Sequence, residues 1–300
     1  MGGIFLDNDT KHVLAILGFV CCFGAGYFVC KAENKDILKT GEKFSAVARI
    51  ENALDGKEDI TFENEEKAIE SAVNAYYSKS SDKYLKYESD SENSEEVQEE
   101  KYEYTNTYKM IGDICYINSA HFNIDGIQGF ERAFKDCPDA EGFIIDLRNN
   151  MGGYTSYSTS ELGHFLGNCD IGMYHYYDGR KQDISIGMAE KKTDKKVVIL
   201  VNERTASASE IFTSAMKQFY ENTVVLGSHT YGKGVFQVPT VTENGEQVSY
   251  TAGYYTIGDW QCYDGIGFDP DIELEMKYDP DIICTDDDLQ LNKAVELFNN

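Results

Sequence analysis

Three hundred residues, 42% of them hydrophobic, suffice for a sizeable core in one large domain or two modest ones. A formal net charge of -25 argues against nucleic acid as a partner, since phosphate binding needs clustered Lys and Arg; the acidic surface reads as solubilising. The cysteines form no Cys-x-x-Cys pair and the histidines (His12, His121, His164, His175, His229) are scattered, so neither a structural metal nor a cofactor is expected.

Residues 12–30 (HVLAILGFVCCFGAGYFVC) carry no formal charge and, at ~1.5 Å per residue, nearly cross a ~30 Å hydrocarbon core as a helix. They read as an N-terminal transmembrane helix within an anchor over 1–31. A cleaved signal peptide competes, but the junction Val29, Cys30, Lys31, Ala32 is a poor small-x-small cleavage site. Lys31, Lys35, Lys39 and Lys43 follow the segment and Lys11 alone precedes it, which by charge favours a cytoplasmic C-terminal side. Cys21, Cys22 and Cys30 fall in this run. Cys115, Cys137, Cys169, Cys262 and Cys284 remain, an odd set that speaks against a full disulfide framework.

Over 63–87 the positions Ala68, Ile69, Ala72, Val73 and Tyr76 recur at helical spacing, giving a small helical subdomain over 32–88. Residues 89–104 are dense in Glu, Asp and Ser with one Lys, the composition of a solvated linker.

From 105 to 300 short apolar runs alternate with helical stretches, an α/β pattern. Residues 142–147 (GFIIDL) and 196–201 (KVVILV) read as fully buried strands. Residues 209–222 put Ile211, Phe212, Ala215, Met216 and Phe219 on one face of a helix. Residues 235–241, the Asn244-Gly245 turn and residues 248–256 read as a β-hairpin. No internal repeat is visible.

Three segments carry candidate chemistry. Ser207 stands where a buried strand gives way to a helix, so orphan backbone N–H groups and the helix dipole can stabilise an oxyanion there. The stretch Ser207-Ala-Ser-Glu210 is equally a capping box, and by itself it says no more than that. Lys233 lies between two glycines ahead of an apolar strand, on one face with Val235 and Gln237. A lysine is a base only when neutral, so its pKa must fall from ~10.4 to about 7 to 8, which desolvation can achieve and a carboxylate partner would oppose. Gln237 can orient the amine without stabilising its charge. A snorkelling strand lysine or an anion-binding glycine loop would account for Lys233 alone. Finally, Gly152-Gly153 after the first strand lets the backbone approach a ligand, unless it is an ordinary turn.

In chain order, FIIDLRNNMGGY, VVILVNERTASASEIF, TYGKGVFQ and GIGFDPDIELE resemble the C-terminal processing (tail-specific) peptidases. The likeness covers most of the chain after about Glu63. It implies Ser207 as nucleophile, Lys233 as base, Gln237 as the residue that positions it, and the backbone N–H groups of Gly153 and Ala208 as the oxyanion hole. The implied core is a crotonase-like set of β-β-α units, and the implied reaction is hydrolysis of unfolded or C-terminally exposed polypeptides through an acyl-enzyme. The family argument places the peptidase domain outside the cytoplasm, against the charge argument. Family members usually carry a PDZ domain where this chain has only the acidic stretch 89–104, so capture of substrate tails by strand addition is not expected. That gap also motivates the alternative, an inactive peptidase fold serving as a binding or scaffold protein at the membrane. A thioester-directed acyltransferase or isomerase is a weaker third reading, opposed by the Ser/Lys pair.

Overall fold

The computed structural model describes residues 65–88, 106–241, 247–258 and 264–299. The expected membrane segment 12–30 and the acidic stretch 89–104 lie outside them. Among the described residues no helix is long and apolar enough to cross a membrane. From Glu66 onward the chain forms one compact unit.

Helix α1 (Glu65–Tyr77) is shorter than its periodic pattern. Beyond it short polar side chains offer the backbone local alternatives: Ser78 Oγ donates to the Ala75 carbonyl at 2.8 Å, and Asp82 Oδ1 accepts from the Tyr84 N–H at 3.0 Å in an Asx-type turn. The chain then extends into strand β1 (Lys86–Glu88), which pairs antiparallel with a strand far along the sequence.

The main sheet is built from β2 (Thr107–Ile111), β3 (Ile114–Asn118), β4 (Gly142–Asp146), β7 (Lys196–Val201), β8 (Thr223–Gly227) and β11 (Ile272–Glu273), ordered β11-β8-β7-β4-β3-β2. All its neighbours run parallel except the β2–β3 hairpin. Helices α2 (Ile124–Asp136), α3 (Thr155–Leu166) and α4 (Ala208–Phe219) supply Phe130, Phe165 and Phe212 to a core that also contains Ile117, Ile145 and Ile199 of the sheet. The alternate residues Tyr116, Ile144, Val198 and Leu200 pack with Leu291 and Ala294 of α5 (Leu289–Glu296). Both faces of β4 and β7 are therefore covered, which is why these strands are unbroken apolar runs rather than alternating ones.

A second, antiparallel sheet holds β5 (Cys169–Tyr176), β6 (Lys181–Ile186), β9 (Val235–Val241) and β10 (Gln247–Ile257), with β1 and β9 both paired to β10. The expected 235–256 hairpin is present. Its turn lies outside the described residues.

Candidate active site

The ends of β4 and β7 are adjacent in the sheet, so the loops that follow them, 147–153 and 202–206, emerge side by side. Short polar side chains stitch them together. Asn202 Oδ1 accepts from the Asn149 N–H at 2.9 Å, Thr205 Oγ1 donates to the Leu147 carbonyl at 2.8 Å, and the Asn150 carbonyl accepts from Ala206 N at 3.1 Å and Ser209 Oγ at 2.9 Å. The first loop is also anchored from below. Arg148, 4% exposed, bonds Asp146 through Nε at 2.9 Å and Asp288 through Nη1 and Nη2, each at 2.9 Å. Asp288 caps α5 by accepting from the Leu291 N–H at 3.0 Å, so the closing helix holds the loop.

Ser207 is the N-cap of α4 with φ 58° and ψ -118°, a left-handed backbone conformation that costs a β-carbon residue on the order of 1–3 kcal/mol and is kept only where its surroundings impose it. Its neighbour across the gap is Gly152, at φ 109°. A Cβ on Gly152 would stand 2.9 Å from Ser207 Cβ and from the Ala206 carbonyl oxygen. Gly153, at φ 131°, leaves no room either, since a Cβ would meet the Phe122 carbonyl oxygen at 2.3 Å. Phe122 and Gly153 form a parallel bridge in which the flanking amide and carbonyl are used, Tyr154 N–H to Phe122 O and Phe122 N–H to Gly152 O, each at 2.9 Å. The N–H of exposed Gly153 and that of Ala208 find no acceptor among the described residues. The Ala208 N–H follows Ser207 at the helix N-terminus and the Gly153 N–H follows the glycine that faces Ser207 Cβ, two unused donors of the kind that can serve an oxyanion.

Glu210, fully buried on the first turn of α4, accepts four hydrogen bonds. Oε1 takes Thr230 Oγ1 at 2.7 Å and Gly232 N at 2.8 Å, while Oε2 takes Ser207 N at 2.9 Å and Lys233 N at 2.8 Å. The capping interaction read from sequence is real, and the same carboxylate also grips the loop carrying Lys233. From the other side the Tyr255 hydroxyl donates to the Lys233 carbonyl at 2.6 Å and lies 3.4 Å from the Ser207 carbonyl. The GIGFDPDIELE motif (265–275) contributes indirectly, Phe268 N–H bonding Thr230 Oγ1 at 3.0 Å.

Lys233 is half-buried, and desolvation holds its ammonium below the usual lysine range; Asp264 opposes that effect and Lys83 adds to it. Its Nζ sits 4.7 Å from the centroid of the Tyr84 ring. No hydrogen bond joins the Ser207 and Lys233 side chains among the described residues. Their backbones are brought together, and the amine rests on the aromatic ring. Gln237 faces Thr251 across β9–β10 and donates to its Oγ1 at 3.4 Å; Thr251 in turn donates from N and from Oγ1 to Asp82, each at 2.7 Å. Gln237 therefore belongs to the Asp82–Thr251 network. Sequence reasoning missed Tyr84, Tyr255 and the second duty of Glu210. Only Glu210 left a signal, as a capping residue. Among the described residues no group of three or more His, Cys, Asp or Glu side chains is placed to hold a metal ion.

The family model "Peptidase family S41" matches residues 113–274. A Staphylococcus epidermidis protein named "Probable CtpA-like serine protease" is 36% identical over 133 residues, 44% of this chain and 27% of that protein. The "Carboxy-terminal-processing protease" of Bartonella bacilliformis is 31% identical over 180 residues, 56% of this chain and 40% of that protein. The chain thus spans well under two thirds of these relatives. Among solved structures, the photosystem II D1 C-terminal processing protease superposes with TM-score 0.50 at 25% identity, over 58% of this chain and 47% of that one. A lipoprotein from Streptococcus agalactiae gives TM-score 0.59 at 17% identity over 79% and 82%, a likeness of fold alone.

Proposed function

The chain belongs to peptidase family S41, and we propose that it is a serine peptidase that cleaves polypeptides through an acyl-enzyme on Ser207, with Lys233 as general base. The observation that carries this reading is the joint placement of Ser207 and Lys233 by one Glu210 oxygen, beside two unused amides. In the first step neutral Lys233 Nζ leaves the Tyr84 ring and takes the Ser207 Oγ proton as Oγ adds to the scissile carbonyl carbon. The oxyanion accepts hydrogen bonds from Gly153 and Ala208 N–H. As the C–N bond breaks, the Lys233 ammonium gives its proton to the leaving amine; the Lys233 amine, neutral again, then deprotonates a water that adds to the ester carbonyl, and it returns that proton to Ser207 Oγ as the C–O bond breaks. Gln237, through Thr251, fixes the strand that follows Lys233.

Unfolded or C-terminally exposed chains are the proposed substrates, because an extended segment can lie along the exposed Met151, Gly153 and Tyr154. Residues 12–30 anchor the protein in a membrane in this reading, with the peptidase unit outside the cytoplasm. The test is to incubate detergent-solubilised full-length protein, wild type and Ser207→Ala, with casein and to follow fragments by intact mass. Fragments from the wild type alone are expected; equal turnover by the variant removes Ser207 from the chemistry. Absence of a Ser207 adduct with a serine-directed phosphonate at any pH would favour the scaffold alternative.

A further inference from the structure

The segment that ends in β1 lies outside the residues matched by the family model, yet it reaches the catalytic lysine. Asp82 fixes it there, accepting from Thr251 N and Oγ1 on β10, and from the Tyr84 N–H within its own turn. Asn74 clasps the same segment from α1, bonding Tyr87 N and O at 2.8 Å each. The result is that Tyr84 lies with its ring 4.7 Å from Lys233 Nζ. Beyond the ring opens a cavity of about 270 Å³, lined among others by Asp82, Lys83, Tyr84, Val235 and Asp264. Tyr84 lines both this cavity and the Lys233 amine, whereas Lys233 is not among the residues that line the cavity.

We propose that Tyr84 is a positioning residue of the active site, its ring forming the wall that keeps water from Lys233, and that residues 81–88 are therefore a working part of the peptidase. The proposal rests on the reading of Lys233 as general base. Two opposed effects meet at the ring. Its face attracts a cation, which favours the charged lysine, while its bulk removes water, which favours the neutral one. Burial is the largest influence on Lys233, with Asp264 favouring its charged form and Lys83 opposing it, while Glu210 is held by three backbone N–H groups and the Thr230 hydroxyl. In this proposal the removal of water is the larger of the two effects.

The test reads the Lys233 amine directly. Full-length wild type, Tyr84→Phe, Tyr84→Ala and Asp82→Ala are labelled with trace acetic anhydride over a pH series, and acetylation of the Lys233 peptide is measured by mass spectrometry beside the pH profile of kcat/KM. Tyr84→Ala is expected to raise the Lys233 midpoint and the acidic limb of kcat/KM together by about one pH unit. Tyr84→Phe, which keeps the ring, restores the wild-type midpoint. Asp82→Ala, which frees the segment but leaves the ring intact, moves it upward by less, and it decides the matter if Tyr84→Ala does not fold. An unmoved or lowered midpoint in a folded Tyr84→Ala protein overturns the proposal. Because the labelling midpoint needs no turnover, a wild type that fails to react with a phosphonate at Ser207 refutes the peptidase reading while still reporting on Tyr84.

Discussion

Ser207 and Lys233 hang their backbone amides on one atom, Oε2 of Glu210, at 2.9 and 2.8 Å. The turn that carries the proposed nucleophile and the loop that carries the proposed base thus share a single carboxylate, whose second oxygen holds Thr230 and Gly232. Any displacement of Glu210 moves Ser207 and Lys233 at once.

Glu210→Gln tests this coupling. The amide keeps the shape but turns one of the two oxygens into a donor, leaving two buried N–H or O–H groups facing another donor. Loss of stability of roughly 2 kcal/mol is expected, the cost of unsatisfied buried partners, with a fall in kcat/KM of about 10²-fold from misplacement alone. Calorimetry and steady-state kinetics on the same preparation measure the two effects. Wild-type kinetics in the variant would mean that the carboxylate does not position the site.

Much of this arrangement was legible in the sequence, for identifiable reasons. Strands β4 and β7 are covered on both faces, so their apolar runs were unambiguous, and the serine at the strand-to-helix junction followed from them. What could not be read was contact between distant segments. The pattern over 63–87 suggested helix throughout, but Asp82 bonds Thr251, 169 positions away, and that tie draws the chain into a turn and a strand. Glu210 was visible as a cap because capping is local. Its hold on Gly232 and Lys233 is not.

The glycine loop proposed to bind the oxyanion predicts a steric outcome. Gly152 has φ 109° and faces Ser207 Cβ and the Ala206 carbonyl at contact distances no methyl group tolerates. Gly152→Ala should cost about 1–3 kcal/mol in backbone strain and push the Gly153 N–H away from the oxyanion position, lowering kcat by about 10²-fold or more with little change in KM. A large rise in KM at constant kcat would instead place the loop in ground-state binding.

The anchor beneath the loop makes a prediction about acid. Arg148 holds the Asp288 carboxyl below its ordinary range even though burial alone would raise it. A carboxyl with a depressed folded pKa contributes stability above its unfolded pKa of about 3.9, and this is lost as pH falls through the folded value. Asp288→Ala leaves the buried guanidinium with fewer partners and should cost about 3–5 kcal/mol at neutral pH. It should also flatten the acid limb of stability against pH, measured by urea unfolding between pH 2 and 7. An unchanged acid limb would assign that stability to other carboxylates.

At Lys233 the charged form is the one that folding disfavours, which separates function from stability. Desolvation lowers its folded pKa, so as pH falls the unfolded chain takes up this proton first, and the folded state loses stability between the unfolded value near 10.4 and the folded one. At pH 7 the penalty of a half-buried ammonium is therefore present. Lys233→Met removes it, keeps a chain of similar length against the Tyr84 ring, and should raise stability by about 1 kcal/mol, discounted for the side chain's partial exposure, while abolishing hydrolysis. The gain should shrink as pH rises towards 10, because the wild-type amine then becomes neutral in both states. Thermal unfolding of both proteins across pH 6 to 10 measures it. A variant less stable than wild type at every pH would mean that Lys233 is held by favourable contacts rather than strained by burial, and a lysine so held is a poor base.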